Sequence, residues 1–242
     1  MGRATLRRVV RGRKPRLLLS GAAISLVGYF LLVVLAAEHV LIALDYGTRT
    51  WVAVLRYEFL NLPMRVLTSL GDGKGLIPLV VIGILLLWRV SRPWAIALPI
   101  LMAGAGALQY VAKWAANRQR PDDTPWGFPS GHVLSLVVFF GLIVWLIATA
   151  SRRRRIWRIL AASVCATVVA AVAFSRLYLD RHWLSDVAGG LMVGMAYLLL
   201  AIWVVEVVIV DRRGVPPLTT TDDTAPRDDT APRRDRRHSG IG

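Results

Sequence analysis

Six long apolar runs separated by short charged stretches set the plan of this chain. They cover residues 17–37, 75–90, 94–112, 133–150, 156–174 and 187–210. Each approaches the length of about 20 residues that an α-helix needs to cross the hydrocarbon of a bilayer. In lipid a spanning segment must satisfy its own backbone hydrogen bonds, so runs of this kind predict helices. The expected fold is an all-α integral membrane protein, a six-transmembrane-helix bundle. The second run is short and contains Pro78. The third carries Gly104-Ala105-Gly106-Ala107, small residues that let a neighbouring helix come close.

Residues 38–74 break the pattern by mixing charge with aromatics, and Trp51, Leu55, Phe59 and Leu60 recur at roughly helical spacing. Two readings fit. The segment lies along the outer interface with its apolar side among the headgroups, helping to form a lipid entrance, or it is a structured loop covering the bundle. Gly71-Asp72-Gly73-Lys74-Gly75 ends it as a turn. The spacing of a Walker phosphate loop is absent there.

Composition supports the membrane reading. At 55% hydrophobic residues, mean hydropathy +0.53 and nine Trp in 242 residues, the chain is too apolar for an ordinary soluble domain of its length. Its formal charge of +15 comes from 30 Lys plus Arg against 15 Asp plus Glu. These bases flank the apolar runs, so they set topology and meet anionic headgroups; nucleic acid is not an expected partner. Residues 1–16 hold Arg3, Arg7, Arg8, Arg11, Arg13, Lys14 and Arg16 and no acid. A signal peptide is the rival reading of this flank and the run after it. However, that run is longer than a usual signal core, and Leu35-Ala36-Ala37 is a poor cleavage site.

The expected organisation is a basic N-terminal segment over 1–16, a six-helix membrane domain over 17–210 and a disordered tail over 211–242. The tail contains a tandem hexapeptide, Asp-Asp-Thr-Ala-Pro-Arg, at 222–233. With six spans, the N-terminus, the Arg89/Arg92 turn, the Arg152–Arg155 run and the tail share one side. The positive-inside rule makes that side, with both termini, cytoplasmic. Cys165 is the single cysteine and forms no internal disulfide.

Candidate chemistry gathers in three places. Lys113 is followed by six residues and Arg120-Pro121; then come Pro129-Ser130-Gly131-His132, and finally residues 175–186, Ser-Arg-Leu-Tyr-Leu-Asp-Arg-His-Trp-Leu-Ser-Asp. Span parity puts all three on the face opposite the basic loops, although parity played no part in finding them. Ionisable residues beside membrane spans are functional by default. Lys113, Arg120 and Arg176 offer fixed positive charge for the oxygens of an anion, with each Arg able to fork onto two. Ser130 and the amides near Gly131 stand where the fourth span begins, and a helix N-terminus favours an anion. Gly131 lets backbone come close. If the chain is helical from Trp183 onward, His182 and Asp186 lie four apart on one face, and the carboxylate holds the imidazole in one tautomer. Taken singly, Lys113, Arg118 and Arg120 read as snorkelling anchors, Pro129-Ser130-Gly131 as a turn and cap, and His182 with Asp186 as a structural pair.

In order and spacing these segments, Lys-x6-Arg-Pro, Pro-Ser-Gly-His and Ser-Arg-x5-His-x3-Asp, resemble the three-part signature of the type 2 phosphatidic acid phosphatase superfamily. That superfamily also includes lipid phosphate phosphatases, glucose-6-phosphatase and vanadium haloperoxidases. Every signature position is filled. The resemblance implies a membrane phosphatase acting on a lipid phosphate or diphosphate at the extracytoplasmic face of a plasma membrane. It implies that His182 attacks phosphorus to give a phosphohistidine, while His132 protonates the leaving oxygen and then activates water. Spacing alone does not say which histidine attacks. Lys113, Arg120, Ser130, Gly131 and Arg176 would bind phosphate, with no metal and no cofactor required. Arg118, Asp122, Asp123, Asp180 and Arg181 match no signature position and stay outside this set. His39 and His238 read as surface residues.

Candidate substrates are a polyprenyl diphosphate such as the undecaprenyl carrier, phosphatidic acid and phosphatidylglycerol phosphate, with the carrier preferred for an outward-facing site. Membrane lipids are the other expected partners, and the oligomeric state is left open. Two rivals remain, a vanadate-dependent haloperoxidase-like enzyme and a non-catalytic lipid-phosphate binding or transport protein.

Overall fold

The computed structural model describes residues 3–37, 42–150 and 155–205. The side chains before Pro15, His39, the basic residues 152–154, His238 and the repeat-bearing tail lie outside what is described. The described residues form eight α-helices: α1 (Arg3–Ala37), α2 (Ile42–Val54), α3 (Glu58–Ser69), α4 (Gly73–Val90), α5 (Arg92–Ala116), α6 (Gly131–Ala150), α7 (Arg155–Tyr178) and α8 (Leu184–Trp203). No strand occurs among them. Six of the helices, α1 and α4 to α8, are long and apolar enough to cross a membrane, and they match the six apolar runs.

The motif-bearing helices extend further than hydropathy alone marks. The α5 helix continues to Ala116, so Lys113 stands on its last turn, and α7 continues to Tyr178 and carries Arg176 in the same position. The α8 helix begins at Leu184 and not at 187, because Ser185 and Asp186 are used inside its first turn. Polar residues interrupt an apolar run without interrupting the helix.

The most deeply buried spans are α6 and α8, which pack on each other, with α1 along α8, α5 and α7 beside α6, and α4 on α5. Their shared core includes Leu134, Val138, Leu142, Val193, Leu198 and Ile202. Two glycines of α8 bring it close to the backbone of α6. A Cβ at Gly190 would fall 2.5 Å from the Ser130 carbonyl oxygen, and one at Gly194 would fall 3.1 Å from that of Leu134. Of the two glycines in the small-residue stretch of α5, one acts in the same way. Tyr197 of α8 lies over Gly104 and its hydroxyl donates to the Leu101 carbonyl at 3.0 Å, whereas Gly106 faces open space.

Residues 42–69 form two helices, not one periodic segment. The α2 helix ends at Val54, a turn follows in which the Leu55 amide donates to Val52 O, and Tyr57 precedes α3 in extended conformation. The α2 helix rides on the ends of α7 and α8 and the α3 helix on that of α7, with polar contacts from α2 and the turn after it. Asp180 accepts from Arg49 Nη2 at 2.6 Å and pairs with Arg56 Nη2 at 3.0 Å. Arg56 Nε also donates to Tyr178 O, and the Tyr178 hydroxyl donates to Tyr57 O. On the other side Trp51, Phe59, Leu62 and Val66 are exposed. The geometry is that of a cover over one end of the bundle.

Candidate active site

The covered end of the bundle is where all three motifs meet. Asn117 stops α5 in the left-handed region, at φ 40° and ψ 37°, a conformation Asn tolerates better than most residues. The chain then doubles back, so that the Gly127 amide donates to Arg118 O at 2.7 Å. Lys113 Nζ donates to Trp126 O at 2.8 Å, tying the last turn of α5 to this loop and leaving the ammonium two further protons. A Cβ at Gly127 would lie 3.2 Å from both Arg120 Cγ and Asp186 Oδ2. The first motif's arginine therefore runs beside the third motif's carboxylate.

The second motif is fastened to the third through backbone. After a cis Phe128–Pro129 peptide, the Ser130 amide donates to Asp186 O at 2.9 Å, and α6 starts at Gly131. Gly131 is closely covered. The space over its α-carbon is taken by the Gln109 side chain, with Lys113 Cε at 3.6 Å, so this glycine lets α5 come close.

His182 is almost completely buried, at 3% exposure. It does not share a helical face with Asp186 as the spacing suggested, because it precedes the α8 cap residue, Trp183, which is extended. Asp186, in the first turn, instead reaches back. Its Oδ2 accepts the Trp183 amide at 3.0 Å and His182 Nδ1 at 3.3 Å. The pairing survives by a different local geometry. With the Nδ1 proton directed to the carboxylate, Nε2 keeps its lone pair. Burial pushes the His182 pKa down to about 4 against the opposing pull of Asp186, and the positive charges of Arg176 and Lys113 act in the same direction as burial. The ring is neutral at physiological pH.

His132, on the first turn of α6, has a partner that the motifs do not contain. Its Nε2 lies 2.7 Å from Asp72 Oδ1. Asp72 is the residue before α4, in extended conformation, and its carboxylate does not cap that helix. A Cβ at the adjacent Gly71 would fall 2.6 Å from His132 Cδ2. The expected turn is confined to Gly71 and Asp72, with Gly73, Lys74 and Gly75 already opening α4, and its compactness brings Asp72 up to the ring. Arg176 is also met from the cover, with Nη1 donating to Thr68 Oγ1 at 2.7 Å.

Three buried donors in this region, Arg120 Nε, Ser130 Oγ and Arg176 Nε, have no hydrogen-bond partner. A buried polar group without a partner costs about 1–3 kcal/mol, more when charged. Lys113, Arg120 and Arg176 also lie within electrostatic reach of one another, which is unfavourable without an anion between them. Donors and charge together suit a tetrahedral oxyanion.

Arg118 and Asp45 were not singled out as site residues, yet both meet the third motif. Arg118 Nη1 donates to Asp186 Oδ1 at 2.9 Å and Nη2 to Asp45 Oδ2 at 2.7 Å. The only sequence signal for Arg118 was a charge inside the six-residue spacer of the first motif, and Asp45 and Asp72 gave none. Of the other residues left out, Asp122 pairs with Arg181 at the rim at 2.9 Å, and Asp180 fastens the cover.

Comparison with known proteins finds relatives in sequence and in fold. Residues 94–209 match the family model of the PAP2 superfamily, a stretch that holds all three motifs. Phosphatidylglycerophosphatase B of Bacillus subtilis (strain 168) is 28% identical over 179 residues, covering 69% of this chain and 86% of its own. The fold is similar to that of the transmembrane PAP2 type phosphatidylglycerolphosphate phosphatase from Bacillus subtilis, with TM-score 0.69 at 21% identity over 75% of this chain and 94% of that one. It is similar too to Aquifex aeolicus LpxE, with TM-score 0.54 at 16% identity over 66% of this chain and 94% of that one. The helical architecture, the three converging motifs and the family match lead to one conclusion: the chain is a multi-helix membrane protein whose residues 94–209 match the PAP2 superfamily.

Proposed function

We propose that the protein is a membrane phosphatase that removes phosphate from a lipid phosphate or diphosphate through a phosphohistidine on His182. The observation that carries this reading is the convergence of three buried, unpartnered donors, on Arg120, Ser130 and Arg176, with a neutral, carboxylate-held imidazole. Lys113, Arg120 and Arg176 would hold the non-bridging oxygens, joined by Ser130 at the start of α6. Fixed donors aimed at developing charge are the main source of catalysis in phosphoryl transfer. His182 Nε2 attacks phosphorus, a P–N bond forms and the P–O bond to the lipid breaks. His132 gives a proton to the departing oxygen. It then takes a proton from water, which attacks phosphorus; the P–N bond breaks and inorganic phosphate leaves, with His182 neutral again. Asp186 keeps its proton-accepting position on Nδ1 throughout, and Asp72 orients the ring of His132.

On topology, the motif-bearing end is assigned to the extracytoplasmic face and both termini to the cytoplasm, supported by the basic turns at Arg89, Arg92 and Arg155 at the opposite ends of the helices. The exposed apolar side of α2 and α3 fits the headgroup region, where the cover would border the path by which a lipid enters. The curated relative makes phosphatidylglycerol phosphate the first substrate to try, ahead of phosphatidic acid and the undecaprenyl carrier.

The deciding experiment is phosphate release by purified protein in detergent with chelator, over a panel of these lipids. Wild type is expected to release phosphate and His182→Ala to release essentially none while still binding lipid. Equal release by both forms would remove His182 from the mechanism. No release from any lipid by wild type would favour a binding or transport protein, and loss of activity on chelation would contradict metal independence.

A further inference from the structure

We propose that Arg118 and Asp45, which belong to none of the three motifs, are positioning residues: a buried brace that fixes the carboxylate of Asp186 and, through it, the ring of His182. The inference rests on the assignment of His182 as nucleophile and deepens it. Both oxygens of Asp186 are engaged. Oδ2 faces His182 and the Trp183 amide, and Oδ1 accepts from Arg118. Asp186 is fully buried, so without Arg118 its second oxygen would lose its charged donor and the carboxylate could turn away from the ring.

Arg118 is itself held from the cover. Its second terminal nitrogen donates to Asp45, which is 1% exposed. Asp45 Oδ1 accepts the Ser185 amide at 2.9 Å, and Oδ2 accepts the Ser185 hydroxyl at 2.6 Å. That amide belongs to the first turn of α8 and has no partner within its own helix, so Asp45 caps α8 from another element. The Ser185 hydroxyl accepts from Arg118 Nη1 at 2.5 Å, closing the circuit. The α2 helix is thereby locked to the turn that presents His182, over a separation of 140 residues along the chain.

Charge gives this brace a signature that mere structural support would lack. The charged or titratable groups facing His182 are Asp186 from α8, Arg176 from α7, Lys113 from α5 and His132 from α6. Behind them stand Arg118 in the α5–α6 loop and Asp45 on α2, with Asp72 beyond His132. Removing the positive charge of Arg118 makes the surroundings of His182 more negative and favours its protonated form. Removing the negative charge of Asp45 does the opposite.

The test compares wild type, His182→Ala, Arg118→Gln, Arg118→Lys and Asp45→Asn, using phosphatidylglycerol phosphate in detergent and, if wild type is inactive on it, short-chain phosphatidic acid. Expected for Arg118→Gln and Asp45→Asn is a kcat lowered roughly ten- to a hundredfold, the range seen when the support of a reactive ligand is removed. KM should stay within about twofold, since neither residue reaches the phosphate. The acid limb of the kcat/KM profile should move to higher pH in Arg118→Gln and to lower pH in Asp45→Asn. Arg118→Lys should leave the limb in place and recover part of kcat. Folded variants with wild-type kcat and unmoved limbs would overturn the brace while a silent His182→Ala left the phosphatase reading intact. An active His182→Ala would overturn both. Should Arg118→Gln fail to fold, the opposite limb shift in Asp45→Asn and the recovery in Arg118→Lys decide the matter.

Discussion

The burial of His182 has a direct pH consequence. A free imidazole titrates near 6.5, so at pH 5.5 about nine-tenths of it is protonated and unable to attack. His182, held down to about 4, remains neutral there. Phosphoenzyme formation in a single turnover is therefore expected to persist at pH 5.5 and to fail only as pH approaches 4, checked by rapid quench with a radiolabelled lipid phosphate. The same depression has a stability sign. Its folded pKa lies below the unfolded value, so stability is fully present above about 6.5 and declines as pH falls toward about 4, because only the unfolded chain takes up the proton. At His132 the partner is Asp72, whose carboxylate lies 2.7 Å from Nε2 and orients the ring for proton transfer. Asp72→Asn is expected to lower kcat about tenfold, less than the roughly 10²–10⁴-fold that loss of the proton-transfer group itself would cost, and to move the alkaline limb of its pH profile downward. An unchanged limb would separate Asp72 from the proton transfer.

At the scale of elements, the site is made by helix ends meeting, and their distance is set by glycines more than by large core side chains. Gly190 brings α8 against the Ser130 carbonyl, and a methyl group there must displace backbone. Gly190→Ala is expected to insert in the membrane normally yet lose activity, with overpacking costing about 1–3 kcal/mol, checked by thermal unfolding in detergent together with phosphate release. Gly106→Ala is the control, since nothing approaches that position, and it should leave both measurements unchanged. Long apolar runs announced the spans because hydropathy integrates over many residues. The helix ends were less legible: Lys113, Arg176 and Asp186 lie within helices but lower the hydropathy of their neighbourhood. The double helix of the cover was hidden for the opposite reason. Its helical spacing continues through Leu55 although the backbone turns there.

For the whole molecule, the proposed orientation is testable with the single cysteine removed. In a Cys165→Ala background, Asp123→Cys is expected to react with a membrane-impermeant maleimide on intact cells, whereas Arg92→Cys should react only after permeabilisation. The reverse labelling pattern would invert the topology and put the site in the cytoplasm.

What could be known before any coordinates was the membrane class, the six spans, and the three motifs with their shared side. Each is encoded locally, as hydropathy over about twenty residues or as side chains within a few turns. The convergence of Lys113, Arg120, Ser130, Arg176, His182 and Asp186 was foreseeable from spacing and parity. Tertiary structure decided what surrounds them. Asp72 reaches His132 across 60 residues, and Asp45 reaches Ser185 across 140. A carboxylate on a short helix or in a glycine-rich turn has no periodicity and no motif to mark it. Only the packing of the cover onto α7 and α8 gives it a partner, and burial in that packing turns an ordinary imidazole into a neutral one.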